Sequence, residues 1–235
     1  MIEREAFIAR VNEYQNRLAE ASAKWGGVEI CAVTKTMDAD TSNLAYEAGL
    51  KTIGENRVQE LVDKLPRLKP EYSIHLIGQL QTNKVKYIIR DVSMIQSLDR
   101  DSLAQEINRQ AIKAGIVMPV LVQVNVAKEP QKGGIAEEEL IPFLQRIAGM
   151  EGVCVKGLMS IMPVAENPED VRPYFRRMRE WFDHLRESPV PGVSMEVLSM
   201  GMSHDCLVAA EEGATMVRLG TALFGKRAAT TQING

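Results

Sequence analysis

The stretch VEICAVTK, residues 28–35, is an apolar run that closes on a lone lysine, Lys35. A lysine that merely ends a strand snorkels its ammonium group to solvent along its own methylenes. A lysine in a partly apolar pocket behaves differently: its charged form loses solvation, its pKa falls, and the free amine attacks an aldehyde. Lys35 taken alone fits either description. Two later segments supply what the second one needs. MGMSHD (200–205) offers Gly201 and Ser203, and RLGTALFG (218–225) offers Gly220 and Thr221. Glycine lets a backbone approach a ligand closely, and hydroxyls beside the amides of a helix start make a phosphate cradle. Strand alternation puts Arg218 on the same face as Gly220. A guanidinium inside a fold is expensive without a partner, so Arg218 calls for an internal carboxylate such as Asp99 or Glu55, or for a ligand acceptor, the preferred reading. An aldehyde-reactive lysine, an adjoining phosphate cradle and a facing arginine together point to pyridoxal 5′-phosphate.

That constellation needs a frame joining the end of an early strand to the ends of two late ones. After an opening helix over about residues 3–23, β-rich runs alternate with helical stretches. The runs are 28–35, 51–56, 73–79, 92–99, 119–126, 153–161, 195–201 and 216–225. Each of the first seven is followed by apolar residues at helical spacing, as in 136–150 and 169–188. Parallel strands need crossover helices and are buried on both faces. The expected fold class is therefore α/β, a single (β/α)8 TIM-type barrel with an extra N-terminal helix, with an open doubly wound sheet as the structural alternative. No Pro/Gly/Ser linker divides the chain, so one domain is expected over 1–235. Barrels commonly bind phosphate after strands seven and eight, and strand eight closes against strand one. The phosphate would then sit beside Lys35. Polar or small residues also end other strands: Glu55 and Asn56, the segment from His75 to Lys84, Asn125, and Ser160 within MSIMP.

The net charge of −3 argues against a nucleic-acid surface built on general electrostatics. The basic piece Arg172–Arg179 reads as the wet face of a helix. The amphipathic N-terminus has no apolar signal core, and no run approaches the length needed to span a bilayer. Three separated cysteines, Cys31, Cys154 and Cys206, read as reduced buried thiols in a cytoplasmic protein. No metal site is expected, because His75, His184 and His204 lack ligand spacing.

The motifs AVTKT (32–36), GENRVQE (54–60), HLIGQLQTNK (75–84), LVQVN (121–125), KGLMSIMP (156–163), LSMGMSHD (198–205) and VRLGTALFG (217–225) occur in order. With them the chain resembles the pyridoxal phosphate homeostasis proteins, which are similar to the barrel domain of bacterial alanine racemase (fold-type III). The one departure is Met37–Asp38, where the family usually carries a proline or another residue after the lysine motif. The resemblance implies that Lys35 forms the internal aldimine, that Arg218 lies beside the pyridine nitrogen, and that Ser203, Gly220 and Thr221 bind phosphate. It implies further that Asn56, and with it Ser199 and Met200, line the pocket. His75 and Asn83 lie in the most characteristic motif without an assignable contact.

A non-catalytic role is expected. Arginine keeps its proton, so a pyridine nitrogen facing Arg218 stays unprotonated and the ring is a weak electron sink. Racemisation needs a second acid/base, which in alanine racemase, by resemblance, is a tyrosine from a second domain of a partner subunit. This chain is not expected to carry that domain, and Tyr14, Tyr46, Tyr72, Tyr87 and Tyr174 fall away from the strand ends. The expectation is a monomeric carrier of pyridoxal phosphate in vitamin B6 and amino-acid/keto-acid homeostasis, with recipient apo-enzymes as a partner class. It binds no nucleic acid and no membrane. The alternatives are a pyridoxal-phosphate-dependent amino-acid racemase, a Schiff-base aldolase acting on a sugar-phosphate ketone, and a ligand-free interaction scaffold.

Overall fold

Short apolar strands buried on both faces cannot stand alone; they must be covered by helices outside and by one another's side chains inside. A computed structural model, describing residues 2–129 and 131–225, shows how this chain meets both demands. The strands are β1 (Glu29–Val33), β2 (Thr52–Glu55), β3 (Ser73–Leu76), β4 (Met94–Leu98), β5 (Met118–Gln123), β6 (Val153–Met159), β7 (Val193–Met202) and β8 (Met216–Leu219). Neighbours pair parallel in chain order, and β8 returns to β1 with Cys31 opposite Arg218, which closes the barrel. The α-helices are α1 (Arg4–Ala21), α2 (Ala39–Glu47), α3 (Val58–Lys64), α4 (Asp101–Ala114), α5 (Leu140–Ile147), α6 (Arg172–Glu187), α7 (Cys206–Glu211) and α8 (Thr221–Phe224). This is the expected α/β barrel with its extra N-terminal helix, α1, whose Phe7, Val11 and Leu18 are buried. The open sheet is excluded by closure.

Alternation along the strands divides the apolar residues into two layers. Ile30, Ala32, Ile53, Ile74, Leu76 and Leu198 join the large core between sheet and helices. Cys31, Val33, Ile77 and Met216 form one small cluster inside the barrel, and Met94, Leu121 and Met159 another. β6 and β7 approach each other closely at one glycine. Gly157 has φ +151°, and a Cβ there would stand 1.9 Å from the Val197 carbonyl oxygen, so no other residue fits without moving the strand.

Three expectations are corrected. The run 216–225 is not one strand: β8 stops at Leu219, and Gly220 turns the chain into the one-turn helix α8. No α-helix follows β3; a 3₁₀ helix over Thr82–Tyr87 makes that crossover, with exposed Asn83 on it. Cys154 is half-buried rather than buried. The expected domain end at Gly235 lies outside the described residues. The arginines of α6 are paired: Arg172 with Glu169, Glu211 and Glu212, and Arg177 with Glu137 and Glu180.

Candidate functional site

A cleft of ≈ 450 Å³ opens at the C-terminal ends of β1, β2, β7 and β8, lined by Lys35, Asn56, Ser203, Arg218, Gly220 and Thr221 together with apolar Val33, Ile77, Ile161 and Met202. The size is ordinary for a small-ligand site.

Lys35 stands on the loop that leaves β1, and both of its neighbours are tied down. The Thr34 hydroxyl donates to Glu55 Oε1 at 2.5 Å, and Lys64 Nζ donates to the Thr34 carbonyl at 2.9 Å and to Glu55 Oε1 at 2.6 Å. Thr36 holds a left-handed backbone, φ 64°, and its amide donates to Glu60, which also accepts from Lys64 at 3.2 Å. A β-branched residue at positive φ is costly and persists only where its surroundings demand it. Asp38 then caps α2, accepting from the Thr41 amide at 2.7 Å; that hydrogen bond lowers its carboxyl pKa. The Met37–Asp38 loop is thus a built helix entry. Burial raises the Glu55 carboxyl, opposed by Lys64 and Thr34.

Arg218 is 4% exposed, and burial lowers its pKa to about 10, so it stays cationic at neutral pH. Neither Glu55 nor Asp99 is its partner; Lys64 holds the first and Arg100 the second. Arg218 donates instead to Ser199 Oγ at 2.7 Å and to the Ser160 carbonyl at 2.8 Å. Ser203 Oγ accepts from the amides of Gly220 and Ala222, both at 3.1 Å, and so pins the hinge between β8 and α8 to the loop after β7. Asn56 lines the cleft with its side-chain oxygen buried and unpartnered. That acceptor awaits a donor.

The structure brings Lys35, Asn56, Ser203, Arg218, Gly220 and Thr221 together, and separates the rest. Ser199 is fully buried behind Arg218. Met200 sends its side chain into the sheet–helix core, not the cleft, because alternation along β7 puts it on the opposite face from Ser199. Gly201, φ +90°, serves packing: a Cβ would stand 2.5 Å from Ala209 on α7. Asn125 is structural, its amide donating to the Glu129 carbonyl at 2.8 Å while its oxygen accepts from the Glu129 amide. Residues missed from sequence are Lys64, Gln96 and His204. The only signal for Gln96 was one polar residue on the inward phase of an apolar strand. His204, exposed beside Ser203 on the cleft wall, had none.

Among the described residues no group of three or more His, Cys, Asp or Glu side chains could hold a metal ion, and no helix is long and apolar enough to cross a membrane. The family model described as alanine racemase, N-terminal domain, matches residues 2–228. A protein of Aquifex aeolicus named pyridoxal phosphate homeostasis protein is 47% identical over 223 residues, 93% of this chain and 97% of that one. PipY of Synechococcus elongatus, solved with PLP bound, superposes with a TM-score of 0.83 at 32% identity, covering 93% of this chain and all of that one. Alanine racemase of Clostridium difficile shares the fold, with a TM-score of 0.72 at 16% identity over 92% of this chain and 59% of that one. A chain that carries these motifs on this barrel, at that identity over nearly its whole length, belongs to the pyridoxal phosphate homeostasis proteins, within the alanine racemase N-terminal domain family.

Proposed function

We propose that this protein binds pyridoxal 5′-phosphate in the cleft, holds it reversibly through Lys35, and acts in vitamin B6 and amino-acid/keto-acid homeostasis without turning over a substrate. The observation that carries the reading is the convergence on one cleft of a primary amine, a buried guanidinium, a hydroxyl–amide cluster and an unpartnered buried amide oxygen. The residues fit the group. Lys35 offers the amine, Ser203 with Gly220 and Thr221 offers hydroxyls and amides for a phosphate, Arg218 offers N–H donors to a ring nitrogen, and Asn56 offers an acceptor to a ring hydroxyl. Bound there, the cofactor supplies an aldehyde carbon that condenses with primary amines. The PLP-bound PipY structure and the name of the Aquifex relative support the assignment.

The non-catalytic reading rests on Arg218 and on the cleft wall. A donor-only side chain that keeps its charge holds any nitrogen it meets unprotonated. The lining residues include no tyrosine; Tyr14, Tyr46 and Tyr174 lie on α1, α2 and α6. We place the protein in the cytoplasm, where its three free thiols stay reduced, as a single-barrel monomer from which apo-enzymes draw the cofactor. The test is borohydride reduction of the protein incubated with pyridoxal phosphate, followed by denaturation and peptide mapping. Label on the peptide containing Lys35, lost in Lys35→Ala, is the expected result. Label elsewhere, or retained in Lys35→Ala, would refute the assignment. Sustained turnover of alanine or another amino acid by the purified protein would refute the non-catalytic role and favour a racemase.

A further inference from the structure

A string of hydrogen bonds crosses the inside of the barrel behind the cleft, and its direction can be read atom by atom. Arg218 on β8 donates to Ser199 Oγ on β7, which lies 2.7 Å from Gln96 Oε1 on β4. Gln96 Nε2 lies 3.2 Å from Met216 Sδ and 2.8 Å from His75 Nδ1 on β3, and His75 Nε2 lies 3.2 Å from Ser73 Oγ. A thioether sulfur has no proton to give, so the amide atom facing it is the nitrogen. Gln96 Oε1 therefore accepts the Ser199 proton, which leaves Ser199 lone pairs for the guanidinium. Gln96 Nε2 donates to His75 Nδ1, so the ring's proton sits on Nε2 and faces Ser73. From Arg218 to Ser73, each donor points away from the guanidinium. Gln96 and Ser199 are fully buried, so reversing any link would set donor against donor, or acceptor against acceptor, where solvent cannot compensate.

The string meets a need of Arg218. Both acceptors described for it, Ser199 Oγ and the Ser160 carbonyl, are neutral. Its charge is answered there by aligned dipoles, which reinforce one another in a low-dielectric interior, together with the coulombic pull of Asp205, and two separate terminal nitrogens are anchored, which sets the plane of the group. We propose that Gln96 and His75 are positioning residues for cofactor binding: through Ser199, the Gln96 amide and a neutral His75 ring protonated at Nε2 hold the Arg218 guanidinium in the orientation that meets the cofactor ring. The proposal rests on the cofactor reading above. Burial lowers His75 to about 4, which keeps the ring neutral at physiological pH, and no charged group contributes to that shift.

The first measurement needs no cofactor. In the unaltered protein, ¹⁵N NMR is expected to show a pyridine-type Nδ1 and a pyrrole-type Nε2 on His75, together with hindered rotation of the Arg218 guanidinium. The second is titration of Gln96→Leu and Gln96→Glu with pyridoxal phosphate. Gln96→Leu keeps the volume and loses the hydrogen bonds to Ser199, His75 and Met216; affinity is expected to fall about tenfold, or roughly 1.4 kcal/mol, with a shifted absorbance band for the bound cofactor. Gln96→Glu still accepts from Ser199 and so recovers most of that affinity. It also presents His75 with an acceptor, which moves the ring's titration from about 4 toward neutral pH. A purely space-filling residue would move neither the band nor the histidine titration. A proton on His75 Nδ1, or a Gln96→Leu protein with unaltered affinity and band, would overturn the proposal. If the unaltered protein took up no pyridoxal phosphate, the cofactor reading would fail and the positioning role with it, while the tautomer result would still stand by itself.

Discussion

At the scale of single residues the site is made of groups held in states that water would not allow. His75 is the clearest. Its imidazole is buried and its pKa falls to about 4, whereas an unfolded histidine titrates near ~6.5. Between those values the unfolded chain binds the extra proton, so stability is fully present above about pH 6.5 and declines as the pH falls through about 4. The complete contribution is about 3 kcal/mol. Glu55 and Asp205, whose carboxyls are raised by burial, oppose it, since they gain stability as the pH falls. The expected outcome is therefore a difference: urea unfolding of the unaltered protein should lose stability relative to His75→Asn on going from about pH 7.5 to about pH 4.5. Parallel pH profiles for the two proteins would contradict a neutral buried ring.

At the scale of elements, the loop bearing Lys35 is a joint between β1, β2 and α3, and Lys64 is its pin. This ammonium, 7% exposed, meets the Glu55 carboxylate, which is fully buried, along with the Thr34 carbonyl and Glu60. Breaking such a pair strands a charge, at a cost of about 3–5 kcal/mol, whereas replacing both partners with apolar groups can be nearly neutral. Lys64→Met is thus expected to destabilise the barrel by that amount in denaturant unfolding, and to weaken pyridoxal phosphate uptake by releasing the Thr34–Thr36 backbone. Lys64→Met combined with Glu55→Leu should recover most of the stability but not the uptake, because the Thr34 hydroxyl and carbonyl both lack their partners and Glu60, which holds the Thr36 amide, has lost Lys64. A single substitution costing under about 1 kcal/mol would show that the pair contributes little. Gly78 marks a second joint: a Cβ there would meet the Asn56 carbonyl oxygen at 2.3 Å, so the segment leaving β3 can pass Asn56 only as glycine.

At the scale of the whole molecule, closure makes the cleft. β8 lies against β1, and the loops after β7 and β8 bracket Lys35 across that seam. A ligand bridging the seam stabilises the folded state by mass action. At a concentration one hundred times its dissociation constant the gain is about 2.7 kcal/mol, which for a chain of this length raises Tm by about 5–10 °C. Differential scanning calorimetry with and without pyridoxal phosphate should show that rise in the unaltered protein and most of it lost in Lys35→Ala. An equal rise in both would place the stabilising contact elsewhere.

The chain's periodicities, glycines and polar strand ends pointed to an α/β barrel, with an open sheet as the alternative, and to Lys35, Ser203, Arg218, Gly220 and Thr221 meeting at its strand ends, because strand and helix signals are local and parallel pairing leaves few topologies; Asn56 joined them through the family resemblance. They could not say that Met200 turns into the core, that Gly201 yields to Ala209 rather than to a ligand, or that β8 stops at Leu219. Nor could they pair Arg218 with Ser199, Gln96 with Ser199, or Lys64 with Glu55. Those choices depend on which inward-facing atoms meet once the barrel shuts. The meeting joins residues as far apart as Gln96 and Ser199, and it is set by strand register and bulges rather than by any pattern along the chain.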